Sequence, residues 1–373
     1  MKICLLTYNA HSHENNIGFE NVFKNVFKIN RWGIRALKSK AANNSANIKN
    51  VAQLAGVSIS TVSRVINNPD SVSEELRSRV KNAIEKLGYH PNQIARSLRT
   101  GSTKLIGFII PDITNPAFLM MVKGAEDFLK RKGYTFIVCG TDHSTHEETK
   151  LLRALLSQNV EGMIVTCSGG QNSDFSHIIH SSNVKMVFMD RRYENLNMPY
   201  VGVDNADGVE RITDYLIELG HRSLVYLSGE RNTSSAKERL RGFMSSVQKH
   251  GIEDFQVMYG KFTFESGYEL TKKLKKVPSA VIGGNDLVAL GAIEALLQMG
   301  YSVPEDVSVV GFDDMFYSKY SKPSLTTVRQ PIYEMGYTTG KILWQLLCGD
   351  RIKRHNLILK TEIVLRETVK RRV

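Results

Sequence analysis

Between residues 105 and 312, short apolar runs alternate with longer amphipathic stretches, and this alternation constrains the fold more than any other feature of the chain. The apolar runs are 105–110, 135–139, 162–165, 184–189, 224–227, 280–282 and 307–312. Helical periodicity fills the gaps between most of them, as at 118–132, 206–219 and 286–299. Gly133, Gly220 and Gly300 stand just past three of these helices, where the chain turns through left-handed backbone. Strands that are apolar on both faces must be covered on both, so repeated strand–helix units predict parallel sheets sheathed by helices. The length of 105–373 accommodates two such lobes. The expected class is α/β.

A different pattern precedes the sheets. From Ile48 to about Tyr89 the apolar period is helical. Val51, Ala52, Leu54 and Ala55 lead to Gly56, and Val57-Ser58 opens a second helix through Val62, Val65 and Ile66, which stops at Asn67-Asn68-Pro69. Ser73 with Glu75 and Leu76 begins a third helix that ends at Leu87-Gly88. Pro91 can start a short fourth helix through Ala95, Arg96, Ser97 and Leu98, followed by a Thr100-Gly101-Ser102 linker. Two helices that cross steeply need a tight turn, which Gly56 tolerates, and small Ala52 lets them approach. That leaves Ile59, Ser60 and Thr61, with Ser63 and Arg64, facing outward at the start of the second helix. Hydroxyls and a guanidinium in that place suit a major groove. A plain three-helix bundle shares the apolar spacing, so periodicity alone does not separate the two.

The distribution of charge favours the groove. Net charge is +12, with 49 Lys+Arg against 37 Asp+Glu. Residues 1–46 hold 7 bases and 2 acids, and residues 47–104 hold 9 and 4; the rest is nearly balanced, at 33 and 31. The basic end is the one expected to meet a polyanion. Residues 1–46 have little periodicity beyond a possible helical face of Phe19, Val22, Phe23, Val26 and Phe27, and read as a poorly ordered extension of unknown role. The opening apolar run stops at Thr7, unlike a signal peptide, and no stretch approaches the roughly 18 apolar residues of a membrane span. Cys4, Cys139, Cys167 and Cys348 are widely spaced, which argues against a metal site or a disulfide framework and suits a reducing cytoplasm. No phosphate-binding glycine loop, nucleophile elbow or HExxH occurs, so the expectation is a non-enzyme without cofactor or metal.

The run IKNVAQLAGVSISTVSRVINNP at 48–69 closely resembles the opening of the LacI family of bacterial transcription regulators. The likeness continues through Ser73-Glu74-Glu75, Ala83-Ile84, Leu87-Gly88-Tyr89, Pro91-Asn92 and Ala95–Arg99, and covers about 48–368. It implies an extension at 1–46, a helix-turn-helix at 47–90, a hinge helix and linker at 91–104, and an effector and dimerisation domain at 105–373. Within the last, subdomain one would take about 105–203 and 328–348, and subdomain two about 204–327 and 349–368. By the same resemblance Ile59, Ser60 and Arg64 touch base edges, while Ser58, Thr61 and Ser63 hold phosphates. Ile59 departs from the tyrosine or threonine of some members and favours a thymine methyl. Asn92, Arg96 and Leu98 would lie in the hinge helix, with Leu98 wedged into the minor groove.

The remainder resembles the periplasmic sugar-binding fold, two lobes closing on a ligand with three chain crossings between them. Ligands in such sheets sit at the carboxyl ends of strands. The residues expected there are Asn115 and Phe118, Asp190 and Arg191, Arg239 (with Lys237 as competitor), Phe262, Asn285, Asp313 and Gln330. Asn285 and Asp286 also suit a helix cap, and Asp313-Asp314, as loop neighbours, are expected to point apart. The resemblance thus implies a regulator, in the usual case a repressor, that binds a pseudo-palindromic DNA duplex as a homodimer. A small effector, a sugar by the look of the pocket, would control it as inducer or corepressor. A purine or phosphosugar effector, or a sugar-binding protein or enzyme on the same fold, are the alternatives.

Overall fold

The protein is described from a computed structural model covering residues 47–89, 101–170, 172–352 and 355–372. The expectations for 1–46 and for Asn92, Arg96 and Leu98 lie outside those residues. The described chain forms two compact units, 47–89 and 101–372.

In the first unit α1 (Ile48–Ala55) starts with a capping box that sequence reading did not pick out. Asn47 Oδ1 accepts from Asn50 N (3.1 Å), and Asn50 Oδ1 accepts from Asn47 N (3.0 Å). Helix α2 (Ile59–Asn67) starts at Ser58, whose Oγ accepts from Thr61 N (3.1 Å). Helix α3 (Glu74–Leu87) ends at Gly88, and Ser73 sits at its N-cap without a side-chain cap bond. Val51, Ala52, Ala55, Val62, Val65, Val80 and Ala83 form the core. At about 1.5–3 kcal/mol for each fully buried valine, this small core carries the unit. Gly56 has φ 63°, and a Cβ there would sit 2.9 Å from Arg79 Nη2, which itself donates to Ala55 O (2.8 Å). A side chain there would push the Arg79 guanidinium aside and hold left-handed backbone, which favours glycine.

The second unit contains two six-stranded sheets. Sheet one uses β1 (Leu105–Ile110), β2 (Thr135–Gly140), β3 (Gly162–Val165), β4 (Lys185–Met189), β5 (Tyr200–Val203) and β11 (Asn356–Leu359), in the parallel order β11-β5-β4-β3-β1-β2. Sheet two uses β6 (Ser223–Ser228), β7 (Asp254–Tyr259), β8 (Ala280–Gly283), β9 (Ser308–Asp313), β10 (Thr326–Arg329) and β12 (Glu362–Val364), in the order β12-β10-β9-β8-β6-β7. Only the β10–β12 pair is antiparallel. Helices α4 (Pro116–Lys130), α5 (Thr145–Ser157), α6 (Ser173–Ser181) and α12 (Ile332–Leu347) belong to lobe one. Helices α7 (Asn205–Glu218), α8 (Ser234–Lys249), α9 (Phe264–Lys272), α10 (Asp286–Gln298) and α11 (Phe316–Tyr320) belong to lobe two.

The chain crosses between lobes after β5, after β10 and after β11. Two expected boundaries need correction. Return to lobe one follows Arg329 rather than starting at 328, because all of β10 pairs with β9. Residues 356–359, expected in subdomain two, pair with Tyr200–Val203 in sheet one. This edge strand alternates exposed and half-buried residues, and its place in sheet one is set by the strand it pairs with rather than by its own sequence. Helices α4 and α12 pack at backbone contact: a Cβ on Gly336 would lie 1.9 Å from Met121 O, and one on Gly124 would lie 2.1 Å from Tyr333 O. The first turn of α4 faces the space between the lobes through Ala117 and Phe118.

Candidate functional sites

In the first unit Val62 and Val65 turn inward, which rotates the opposite face of α2 outward. Ser58, Ile59, Ser60 and Arg64 are exposed, while Thr61 and Ser63 are half-buried. Ile59 is an apolar side chain 44% exposed at the first position of the helix. Ser58 Oγ also lies 2.7 Å from Ser60 Oγ and 2.8 Å from Thr61 Oγ1, so the hydroxyls form one cluster at the helix start. A helix N-terminus with exposed hydroxyls and a free amide edge favours phosphate oxygens.

In the second unit a cavity of about 20 Å³ is lined by Asn115, Phe118, Asp190, Arg191, Arg239, Phe262, Asn285, Asp313 and Gln330, all nine residues expected there. Ala117, Met121 and Ser235 complete the lining. Sequence reading missed Met121 and Ser235; Met121 falls one helical turn after Phe118 and Ser235 one turn before Arg239, so the period of 3.6 was the available signal. Lys237 is exposed and does not reach the cavity, whereas Arg239 does.

Strand ends position these groups. Asp190 and Asp313 follow or end β4 and β9 with φ of 62° and 128°. Such left-handed backbone is unusual for a side-chain-bearing residue and is tolerated where it aims a group. Asn115 and Asn285 cap α4 and α10, accepting from Ala117 N (3.0 Å) and Val288 N (2.9 Å). Their capping and cleft-lining roles therefore coexist. Asp314 turns away from Asp313 to meet Arg329 Nε (2.7 Å) and Arg366 Nη2 (2.5 Å). Asp286, which the sequence placed only in a cap, is buried and accepts from Met315 N (2.8 Å), Ser318 Oγ (2.6 Å) and Thr327 Oγ1 (2.5 Å). It ties the start of α10 to the loop after β9.

Two carboxylates and two guanidiniums face each other inside. Arg239 donates to Gly284 O (2.7 Å) and Asn205 Oδ1 (2.8 Å), lies 3.7 Å from Asp313 Oδ1, and stacks 3.8 Å from the Phe312 ring centroid. Gln330 Nε2 donates to Asp313 Oδ1 (2.6 Å). Burial pushes the Asp313 carboxyl up to about 7 against the pull of Arg239, and burial raises Asp190 against Arg191 and Arg239. Arg191 sits between Phe118 and Phe262, its guanidinium 5.4 and 5.3 Å from their ring centroids. Its Nε and Nη1 are buried without a hydrogen-bond partner, and so is Gln330 Oε1. Buried polar groups are seldom left so, and here the unmet donors and acceptor lie in one cavity. Among the described residues no group of His, Cys, Asp and Glu could hold a metal, and no helix is long and apolar enough to cross a membrane.

A helix-turn-helix followed in the same chain by a two-lobed cleft with unmet polar groups defines a DNA-binding regulator with a small-molecule effector. A family model described as bacterial regulatory proteins, lacI family, matches residues 47–92, and one described as a periplasmic binding protein-like domain matches residues 213–369. The HTH-type transcriptional regulator RegA of Clostridium saccharobutylicum is 36% identical over 334 residues, covering 87% of this chain and 99% of RegA. The ribose operon repressor of Halalkalibacterium halodurans is 34% identical over 326 residues, covering 87% of this chain and 97% of the relative. The solved lac repressor dimer bound to operator and the anti-inducer ONPF is similar with a TM-score of 0.77 at 28% identity, over 87% of this chain and 98% of that one. The chain belongs to the lacI family of bacterial regulatory proteins.

Proposed function

We propose that this protein is a cytoplasmic, non-catalytic repressor that binds a pseudo-palindromic operator as a homodimer and releases or grips it according to a neutral sugar in the interlobe cleft. The observation that carries the choice of effector is the unmet polarity of the cavity. Arg191 Nε and Nη1 need acceptors and Gln330 Oε1 needs a donor. Hydroxyl groups supply both. Asp190 and Asp313 share Arg191 and Arg239, and burial already holds both carboxyls up, so a phosphate brought beside them adds negative charge where it is least tolerated. Phe118 and Phe262 offer faces for the C–H side of a sugar ring. The cavity holds little more than one water at about 20 Å³, so binding requires the lobes to part or Arg191 to swing.

On the DNA side, Ile59, Ser60 and Arg64 read base edges and Ser58, Thr61 and Ser63 hold phosphates, with Asn92, Arg96 and Leu98 in the hinge. Support comes from the exposure of the α2 face and from the lac repressor's operator complex. Effector and operator are coupled through lobe pose, and the coupling is reciprocal.

A thermal-shift screen of monosaccharides, nucleosides and sugar phosphates tests the effector class. A ligand at about 100 times its Kd stabilises by roughly 2.7 kcal/mol. Shifts from free sugars alone support the reading; shifts confined to purines or phosphorylated sugars replace it.

A further inference from the structure

Three loops of lobe one grip one short segment of lobe two. After β2, His143 Nδ1 lies 3.2 Å from Glu230 Oε1. After β3, Gly170 N donates to Asn232 O (2.8 Å). After β4, Arg192 N donates to Ser234 Oγ (3.2 Å). Segment 230–234 runs into α8, which carries Ser235 and Arg239 into the cavity.

Beneath these loops lies Glu148 on α5, a fully buried carboxylate that reaches neither the cavity nor solvent. Its Oε1 accepts from Ser168 N (3.0 Å), and its Oε2 accepts from Tyr193 OH. Ser168 Oγ in turn lies 2.7 Å from Thr141 Oγ1 in the first loop. The Tyr193 ring is wedged against Phe175 and Phe188, with centroids 5.3 and 6.2 Å away, and follows Arg191 by only two residues. Both loops that hydrogen-bond across the cleft are therefore held from behind by one side chain. Burial pushes its pKa up to about 7, a standing cost that an apolar filler would avoid.

We propose that Glu148 is a positioning residue for the effector response: by holding Ser168 and Tyr193 it sets where Gly170 and Arg192 meet segment 230–234, and with them the strength of lobe closure and the pose of Arg191. The inference rests on the cleft being the effector site, but its test needs no effector. Hydrogen exchange is followed on the full chain for wild type, Glu148→Ala, Glu148→Gln and Tyr193→Phe, without added ligand. In Glu148→Ala the amides of Gly170 and Arg192, and those of 233–236 in the opposite lobe, exchange faster by about tenfold, the factor expected for losing roughly one hydrogen bond. Glu148→Gln, which can still accept from Ser168 N, retains wild-type protection. Loosening confined to lobe one, or a glutamine variant as loose as the alanine one, overturns the proposal. Should Glu148→Ala fail to fold, Tyr193→Phe decides. It keeps the ring and removes one bond, and unchanged protection at Arg192 and 233–236 also overturns the idea. A negative sugar screen leaves this outcome untouched, so the two readings fail separately.

Discussion

Replacing Arg239 with methionine keeps an unbranched stem and removes the guanidinium, and its cost should vary with pH in a way that lost packing alone would not. One part is constant. Gly284 O and Asn205 Oδ1 lose donors at 2.7 and 2.8 Å. Buried acceptors left without partners make this part about 2–4 kcal/mol together. The second part titrates through Asp313, whose buried carboxyl stands at about 7 with Arg239 as the strongest group pulling it down. The folded protein holds this proton to a higher pH than the unfolded chain does, whose aspartates titrate at about 3.9. The stability linked to the group is therefore complete below the unfolded pKa and is lost as pH rises through the folded one. In wild type that loss is over a little above 7. In the variant the folded pKa moves higher, so the loss continues at about 1.4 kcal/mol per pH unit. Urea denaturation at about pH 5.5 and about pH 8 should show a deficit against wild type that is about 1.4 kcal/mol larger at the higher pH. Adding Asp313→Asn should abolish the difference between the two conditions. An equal deficit at both pH values would refute the pairing argument, because it would mean that the Asp313 carboxyl does not feel Arg239.

Arg191→Met should cost about 3 kcal/mol without ligand, because it takes away the cation 3.7 Å from the buried Asp190 carboxylate. The same variant should erase every thermal shift found in the sugar screen; retained shifts would move the site elsewhere. Gly336→Ala drives a methyl into Met121 O at 1.9 Å, backbone against backbone, and should cost about 2–4 kcal/mol in thermal or urea melts; a near-neutral result would mean that α4 and α12 separate freely. Arg64→Ala should weaken binding to a duplex selected from random sequence by about 1–3 kcal/mol and relax preference at one position of each half-site. A uniform loss across all sequences would reassign Arg64 to phosphate contact.

Much of this protein was legible along the chain because the informative features are local. The turn at Gly56, the Ser58 cap and the helical apolar period of 48–87 are set by residues a few positions apart, and the structure places the three helices there. The apolar runs of the central strands were equally plain, because a strand buried on both faces has no polar alternation to obscure it. The strand–helix alternation indicated which ends of the strands would face a ligand, but the particular cleft residues came from the family resemblance, not from periodicity.

Tertiary structure alone decided the rest. Edge strands β7, β11 and β12 carry exposed or half-buried positions and take their identity from the strand they pair with, so the last lobe crossing was misplaced. Lys237 and Arg239 are two residues apart, and only the orientation of α8 sends one to solvent and the other to Asp313. The unmet nitrogens of Arg191, the knot at Asp286 and the clamp at Glu148 were invisible in sequence, because each depends on partners from several separate segments. Whether a polar group is satisfied is a property of everything packed around it, and no window of neighbouring residues contains that information.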